Sequence, residues 1–251
     1  MTTKSPLLRC PKPRPDARIR LYCIPYAGGG ASVYREWQDK LPSIVEVQAI
    51  QLPGRENRLM DEPFSDSREA AKAVADAIAP DLDRTYAVFG HSMGALVGFE
   101  LLRELERRGA PTASHFFASA FRAPQVENPD SALHELPDAE LLDELDRRYD
   151  AIPAAARESQ ELLELIMPGV RADTAVCDSY AYRAGDPLAC PITALGGEAD
   201  AIVSPELIEL WREQTSAAFE FTLFPGDHFY LQPGQDQLLE LVSRKLLELA
   251  S

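Results

Sequence analysis

A five-residue stretch, Gly90-His91-Ser92-Met93-Gly94, limits most strongly what this chain can fold into. It has the pattern G-x-S-x-G and follows a short apolar run, Tyr86–Phe89, while the residues after it have apolar side chains at helical spacing. A strand that turns directly into a helix holds the serine in a sharp, strained turn, and the two glycines leave room for neighbouring backbone. The pattern therefore predicts a nucleophilic Ser92 at the edge of a sheet, the alternative being a structural serine in a tight turn.

Short β-like runs alternate with longer helical patterns along most of the chain, which is typical of an α/β fold with a mainly parallel sheet flanked by helices. The predicted strands are Ile19–Ile24, Ile44–Ile50, Tyr86–Phe89, His115–Ala120, Pro191–Leu195 and Phe219–Phe224, and the predicted helices run from Ser67 to about Ala79, from after Ser92 to about Arg108, and over Gln235–Leu249. With 251 residues, 45% of them hydrophobic, the chain suits one domain spanning residues 1–251.

The alternation stops between about Val126 and Pro187. This segment mixes acidic and apolar residues in helical patterns, over Leu136–Tyr149 and Ser159–Met167. It fits neither a strand nor a short connector, so we expect helices inserted above the sheet. We call residues 126–187 the insertion and predict that it forms a lid.

A nucleophilic serine needs a base, and the chain has four histidines. His228 follows the last predicted strand, where a hydrolase with this strand–turn–helix nucleophile places its base. His91 adjoins the nucleophile and is expected to point elsewhere, His115 begins a strand, and His134 lies in the insertion. Position and elimination therefore both predict His228 as the base.

The carboxylate that orients the base is expected in a loop after a later strand. The segment Ala120–Pro124 offers no acid, so the loop after the strand ending at Leu195 is the next position. Asp200 lies in that loop and gives the chain order serine, acid, histidine. Glu198 remains an alternative. Asp227 is a weaker one, because it directly precedes His228 and the side chains of adjacent residues rarely point at each other.

Two backbone amides are needed to stabilise the oxyanion of such a reaction. One is expected from Met93, directly after the nucleophile, and the other from Ala27 or Gly28 in the glycine-rich loop after the first predicted strand. That loop could instead bind phosphate, but it lacks the G-x-G-x-x-G spacing with a following acidic ribose ligand. The sequence predicts no cofactor and no metal site.

The net charge of −15 is unevenly distributed. Residues 1–20 carry six basic side chains and one acidic side chain, so the remaining chain has a net charge of −20. An acidic body argues against nucleic acid and anionic membranes as partners. The basic, proline-rich residues 1–18 are expected to form a flexible leader, and the lack of a long apolar run or a signal peptide favours the cytoplasm.

Several segments together resemble the type II thioesterases of polyketide and nonribosomal peptide assembly lines, and this similarity covers most of the chain. The segments are Pro25–Gly29, Gln51–Arg58, Gly90–Ala95, Gly197–Ser204 and Gly226–Leu231. Gln51–Arg58, with its Pro-Gly-Arg-Glu sequence, discriminates best because lipases and general esterases do not usually carry it. One departure is Ala201, where the family often has proline.

The resemblance implies an α/β-hydrolase fold and a stand-alone editing enzyme that cleaves acyl, aminoacyl or peptidyl groups from the phosphopantetheine arm of carrier proteins. It also implies a mobile helical lid, and it favours the amide of Ala27 over that of Gly28. The expected partners are acyl or peptidyl carrier proteins, and the expected state is a monomer. Docking could use a basic patch, with Arg55, Arg58 or the leader, or apolar contacts near the lid.

Two other functions fit the same residues. A small-molecule esterase or an acyltransferase would use the same three side chains, the acyltransferase passing the acyl group to an alcohol or amine. A carrier-binding protein without activity could retain the fold, although the complete set of Ser92, Asp200 and His228 argues against it.

Overall fold

The structure, a computed structural model, describes residues 5–128, 132–149 and 159–249. At its centre is a seven-stranded sheet with the strand order β1-β3-β2-β4-β5-β6-β7. The strands are β1 Leu8–Arg9, β2 Ile19–Ile24, β3 Val45–Ile50, β4 Thr85–His91, β5 His115–Ser119, β6 Ile192–Gly197 and β7 Phe219–Phe224. β1 is antiparallel to β3, and the other neighbouring strands pair in parallel. The predicted fold class is confirmed.

Helices cover both faces of this sheet. The α-helices are α1 Trp37–Lys40, α2 Ser67–Ile78, α3 Met93–Arg107, α4 Asp138–Tyr149, α5 Gln160–Asp178, α6 Pro205–Glu209 and α7 Gln235–Glu248. Short 3-10 segments lie at Ala31–Tyr34, Glu56–Arg58, Ala79–Asp81, Leu133–Glu135 and Leu210–Gln214. Within the described part of the chain, no helix is both long enough and apolar enough to cross a bilayer.

The strands bury both of their faces, as a sheet between two layers of helices requires. In β2, Tyr22 and Ile24 pack into the cluster that contains α2 and α3, whereas Leu21 and Cys23 point into the opposite cluster with α7. Each large apolar side chain buried in this way stabilises the fold by about 1.5–3 kcal/mol. The two clusters fix the sheet, and with it the loops at the carboxyl ends of its strands.

The predicted leader differs from the expectation of a flexible tail, because residues 5–18 lie against the sheet. Leu8 and Arg9 form the edge strand β1 on β3. Arg14 donates to the carbonyls of Leu41 and Pro42, at 3.1 and 2.6 Å. Lys12 forms an exposed ion pair with Asp39 at 2.6 Å. The basic charges of the leader find carbonyl and carboxylate acceptors on the acidic body, which explains the difference. Residues 1–4 lie outside the described residues.

Helix α2 begins at Ser67, as predicted, and Asp66 caps it by accepting from the amides of Arg68 and Glu69. Helix α5 extends beyond the Ser159–Met167 pattern and through Pro168 to Asp178, although a proline inside a helix usually kinks or breaks it. Its second half packs buried residues against the rest of the molecule, and this packing outweighs the local signal.

The insertion contributes helices α4 and α5 between β5 and β6. Helix α4 buries Leu141 and Leu142, which pack with Met167 of α5 in a small cluster of their own, whereas the second half of α5 is buried against the rest of the molecule. Residues 129–131 and 150–158 of the insertion lie outside the described residues. The described helices stand above the carboxyl ends of the strands, where the predicted site residues lie.

Candidate active site

Ser92 lies in the turn between β4 and α3, with φ 54° and ψ −122°, a conformation that a non-glycine residue rarely adopts. The two flanking glycines make this turn possible. A Cβ atom on Gly90 would lie 2.1 Å from the carbonyl oxygen of Gly94, and one on Gly94 would lie 2.1 Å from that of Ile24. The absence of both side chains lets the backbone close tightly and holds the Ser92 hydroxyl out of the sheet.

The structure brings the predicted serine, histidine and aspartate into one hydrogen-bonded chain. His228 Nε2 lies 2.9 Å from Ser92 Oγ, and His228 Nδ1 lies 2.8 Å from Asp200 Oδ2. The side chains of His228 and Asp200 are 6% and 0% exposed. A hydroxyl, an imidazole and a carboxylate connected in this order can pass a proton from oxygen to nitrogen while the carboxylate stabilises the imidazolium.

Asp200 is fixed by its own loop. Its Oδ1 atom accepts from the amides of Ile202 and Val203, at 2.8 and 3.1 Å, which leaves Oδ2 directed at the imidazole. The rival Glu198 is exposed, and Asp227 is exposed with its carboxylate bonded to the amide of Phe229. Neither rival acid contacts the histidine in the way that Asp200 does.

His91 takes part in the site in a way that the sequence did not predict. Its Nε2 donates to the backbone carbonyl of His228, at 3.0 Å, so its Nδ1 accepts from the hydroxyl of Ser119, at 2.8 Å. The Ser119 oxygen in turn accepts from Tyr230 at 2.5 Å. Burial lowers the pKa of His91 well below its ordinary value, so the ring is neutral at pH 7. This buried network anchors the backbone of the proposed base.

The glycine-rich loop after β2 forms a turn in which Gly29 N donates to Tyr26 O, at 2.9 Å. Gly28 has φ +78°, which a glycine adopts without strain. The Gly28 amide already donates to Asp173 Oδ2, at 2.7 Å. Among the described residues, no group accepts a hydrogen bond from the amide of Ala27 or of Met93. These contacts favour Ala27 over Gly28 as the second oxyanion donor.

A cavity of about 210 Å³ lies above Ser92, between the sheet and the insertion. Its walls are mainly apolar and aromatic, with polar side chains interspersed. They include Phe121, Leu133, Leu145, Tyr149, Val170, Cys177, Ile202, Val203, Leu207 and Phe229. The Tyr149 ring lies 5.1 Å from that of His228, and burial raises the pKa of Tyr149 to about 12.

Within residues 5–128, 132–149 and 159–249, no group of three or more His, Cys, Asp or Glu side chains could hold a metal ion.

Comparisons with known proteins place these features in a family. The model of the thioesterase domain matches residues 19–246. Linear gramicidin dehydrogenase LgrE of Brevibacillus parabrevis is 42% identical, over 95% of this chain and 92% of its own. The RedJ thioesterase of prodiginine biosynthesis in Streptomyces coelicolor has a TM-score of 0.86 and 38% identity, over 96% of this chain and 95% of its own.

The type II thioesterase BorB of the borrelidin cluster has a TM-score of 0.87 and 34% identity, covering 98% of this chain and all of its own. The resemblance to type II thioesterases that the sequence motifs indicate is thus confirmed. The sheet order, the serine turn and these similarities agree with one another. The chain belongs to the thioesterase family and has the α/β-hydrolase fold.

Proposed function

We propose that this protein is a stand-alone editing thioesterase that hydrolyses acyl, aminoacyl or peptidyl groups from the phosphopantetheine arm of carrier proteins. One observation carries the proposal above all: the hydrogen-bonded chain Ser92–His228–Asp200 lies at the base of a largely apolar cavity in a chain of the thioesterase family. Its partners are carrier proteins of nonribosomal peptide or polyketide biosynthesis, on which it acts as a monomer in the cytoplasm.

In the proposed first step, Ser92 Oγ attacks the thioester carbonyl while His228 Nε2 takes the hydroxyl proton. The 2.9 Å distance between these atoms supports a direct transfer. The carbonyl π electrons move to its oxygen, which is stabilised by the amides of Ala27 and Met93. The tetrahedral intermediate then collapses, the carbon–sulfur bond breaks, and the pantetheine thiolate leaves and takes the proton from His228.

In the second step, a water molecule gives its proton to His228 and attacks the acyl-Ser92 ester. The second tetrahedral intermediate expels Ser92 Oγ, which regains the proton, and the free acid leaves. Asp200 stabilises the imidazolium in both steps. Because a thiolate is a good leaving group, we expect oxyanion stabilisation to matter more than proton donation to sulfur.

The insertion acts as a lid in this proposal. Its residues form one wall of the cavity, and Tyr149 of α4 packs on the ring of His228. An acyl chain attached to a carrier protein must enter past this wall, so the insertion must move to admit it. Closure then separates the acyl-enzyme from bulk water.

A hydride transfer, which the name of LgrE suggests for that relative, is not favoured in this chain. Dinucleotide phosphates are bound by free amides of a glycine-rich loop. In this loop the amides of Gly28 and Ser32 donate to the carboxylates of Asp173 and Glu56 instead. Two acidic side chains at the loop would repel a pyrophosphate.

The proposed function is tested by comparing hydrolysis of an acyl-carrier protein with hydrolysis of a matched acyl ester, using wild type and Ser92→Ala. We expect release from the carrier to exceed ester cleavage greatly and to vanish in the variant. Thermal denaturation of both proteins provides the control for folding. Fast ester cleavage with an untouched carrier would indicate a general esterase, and activity that survives in Ser92→Ala would contradict the assigned nucleophile.

A further inference from the structure

The Gln51–Glu56 segment, the first part of the Gln51–Arg58 motif, borders the glycine-rich loop after β2. Three of its side chains bind the loop backbone. Gln51 Oε1 accepts from the amide of Ala31 at 2.9 Å, Glu56 Oε1 accepts from that of Ser32 at 3.2 Å, and Arg55 Nη1 donates to the carbonyl of Gly29 at 3.2 Å. Arg55 is buried, so it does not form part of an exposed basic docking patch.

Arg55 also connects the Gln51–Glu56 segment to the insertion through a buried ion pair. Its Nη2 and Nη1 atoms lie 2.6 and 2.9 Å from the two carboxylate oxygens of Asp173 in α5. The side chains are 7% and 3% exposed. A buried pair of this kind often adds little net stability, because the cost of desolvating two charges offsets their attraction. The contribution of this pair therefore lies in the groups that it positions rather than in stability.

Asp173 also binds the glycine-rich loop itself, Tyr26–Gly30, which we call the oxyanion loop. Its Oδ2 atom accepts from both Arg55 Nη1 and the amide of Gly28. That amide belongs to the central peptide of the turn from Tyr26 to Gly29. The direction of this peptide fixes the neighbouring Ala27, whose own amide donates to no described group.

The approach of α5 to the Gln51–Glu56 segment depends on a small residue. Gly169 lies one turn before Asp173, and a Cβ atom at Gly169 would lie 2.8 Å from the carbonyl oxygen of Gly54. The helix backbone therefore packs directly on the Pro53-Gly54 turn. Asp173 reaches Gly28 because the helix is seated in this position.

We propose that Asp173 and Arg55 are positioning residues that couple docking of the insertion to the geometry of the oxyanion loop. With α5 seated, Asp173 holds the Gly28 peptide and the Ala27 amide faces the cavity. When α5 moves away, Gly28 loses its acceptor and the loop loses the contact that orients it. The site thus gains its full oxyanion stabilisation only with the insertion closed, and this inference rests on the proposed function.

The test measures oxyanion stabilisation separately from substrate binding. Wild type, Asp173→Asn and Arg55→Lys are assayed for hydrolysis of butyryl-pantetheine and for inhibition by a trifluoromethyl ketone thioether of pantetheine. The ketone forms a tetrahedral adduct with Ser92 whose oxygen occupies the oxyanion position. Loss of one oxyanion donor costs about 10²–10³-fold in kcat. We expect Asp173→Asn to lose about 10–100-fold in kcat, with KM changed less than threefold and the ketone's inhibition constant raised in parallel.

The control is Glu46→Gln, which weakens another partly buried pair, with Arg20 at 3.6 Å; Glu46 lies at the amino-terminal end of β3, opposite the sheet edge that carries the site residues. We expect it to change the melting temperature without changing kcat or the ketone's inhibition constant. If Asp173→Asn fails to fold, Arg55→Lys decides the matter, since it keeps the positive charge but loses the two-pronged contact. It should show a smaller loss with the same parallel between kcat and inhibition.

Three results would overturn the inference: unchanged kcat in the folded variants, a rise in KM alone, or a fall in kcat with unchanged ketone affinity. The first would mean that the pair does not affect the reaction, and the others that it acts on binding or on folding. Failure of wild type to hydrolyse butyryl-pantetheine and butyryl-carrier protein would instead contradict the proposed function. The ketone measurement would still decide the positioning role, because adduct formation with Ser92 does not depend on the natural acyl group.

Discussion

Helix α3, which begins directly after Ser92, and helix α4, which lines the cavity with Leu145 and Tyr149, are held by different forces. Of the 15 residues of α3, 12 are buried, and they pack between the sheet and α2. Of the 12 residues of α4, Leu141 and Leu142 are buried, and the ion pairs of the helix, such as that of Arg147 with Glu144, are largely exposed. Exposed pairs of this kind contribute about 0–1 kcal/mol each.

The difference separates the sheet region, which carries the proposed catalytic residues, from the insertion, which controls access to them in the proposed function. Burial of apolar surface fixes the strand ends that carry Ser92, Asp200 and His228, so their distances are set by the whole core. Within the insertion, a small apolar cluster joins α4 to α5. Helix α5 meets the rest of the molecule through Val176, which packs in the main core, and through polar contacts such as that of Arg55 with Asp173. Regions with few buried apolar contacts open at low free-energy cost, as a lid requires.

The largest expected effect is a difference in kcat between a substitution on the sheet side of the cavity and one on the insertion side. His228→Ala removes the proposed base and should reduce kcat by about 10⁴-fold or more. Tyr149→Phe, on the insertion side of the same ring contact, retains the aromatic packing and should change kcat less than about threefold. Steady-state kinetics on an acyl-carrier protein check both values. Comparable losses in the two variants would contradict the division between chemistry and access.

The next effect tests the turn that presents Ser92, the proposed nucleophile. Gly94→Ala places a methyl group 2.1 Å from the carbonyl oxygen of Ile24, and should lower the free energy of unfolding by about 3 kcal/mol or more and abolish activity. Gly109→Ala is the matched control, because Gly109 has φ +68° with open space around it, and should cost about 1 kcal/mol. Urea denaturation followed by circular dichroism gives both values. Equal costs would show that steric contact with Ile24 is unimportant.

A third pair of substitutions compares packing in the two regions. Leu101 of α3 and Leu141 of α4 are both fully buried. Leu101→Ala should lower the free energy of unfolding by about 2–5 kcal/mol, as is usual in a core. Leu141→Ala should have a much smaller effect on global unfolding, because it loosens the insertion without opening the sheet. Amide hydrogen exchange should then rise in α4 and α5 alone, and equally fast exchange in β4 would contradict this view.

The smallest expected effect concerns pH. Burial lowers the pKa of His115 to about 4, against about 6.5 in the unfolded chain. The unfolded state therefore binds a proton in this window and the folded state does not, so stability is complete above pH 6.5 and is lost as the pH falls toward 4. Between pH 7.5 and 5.5, wild type should lose about 1 kcal/mol more than His115→Gln in urea denaturation. Identical losses would mean that His115 does not contribute.

Much of this arrangement follows from local sequence. The periodicity of β2 and β7 predicts their limits as observed, and the glycines around Ser92 indicate the turn because no other residue type fits it. The alternation of strands and helices predicts a parallel sheet, whose loops bring serine, acid and histidine together at one edge. These features depend on neighbours in sequence or on the period of a strand or helix, so the sequence alone determined them.

Tertiary structure decided the contacts between distant segments. The edge pairing of Leu8 with Ile50, and the continuation of α5 beyond Pro168, depend on surfaces that form only when the chain folds. The link of His91 to the carbonyl of His228 spans 137 residues, and that of Arg55 to Asp173 spans 118. A side chain's partner at such separation is chosen by packing in three dimensions. Local propensity does not encode such a partner, so the way in which the proposed base and the oxyanion loop are held follows from the packing of the folded chain.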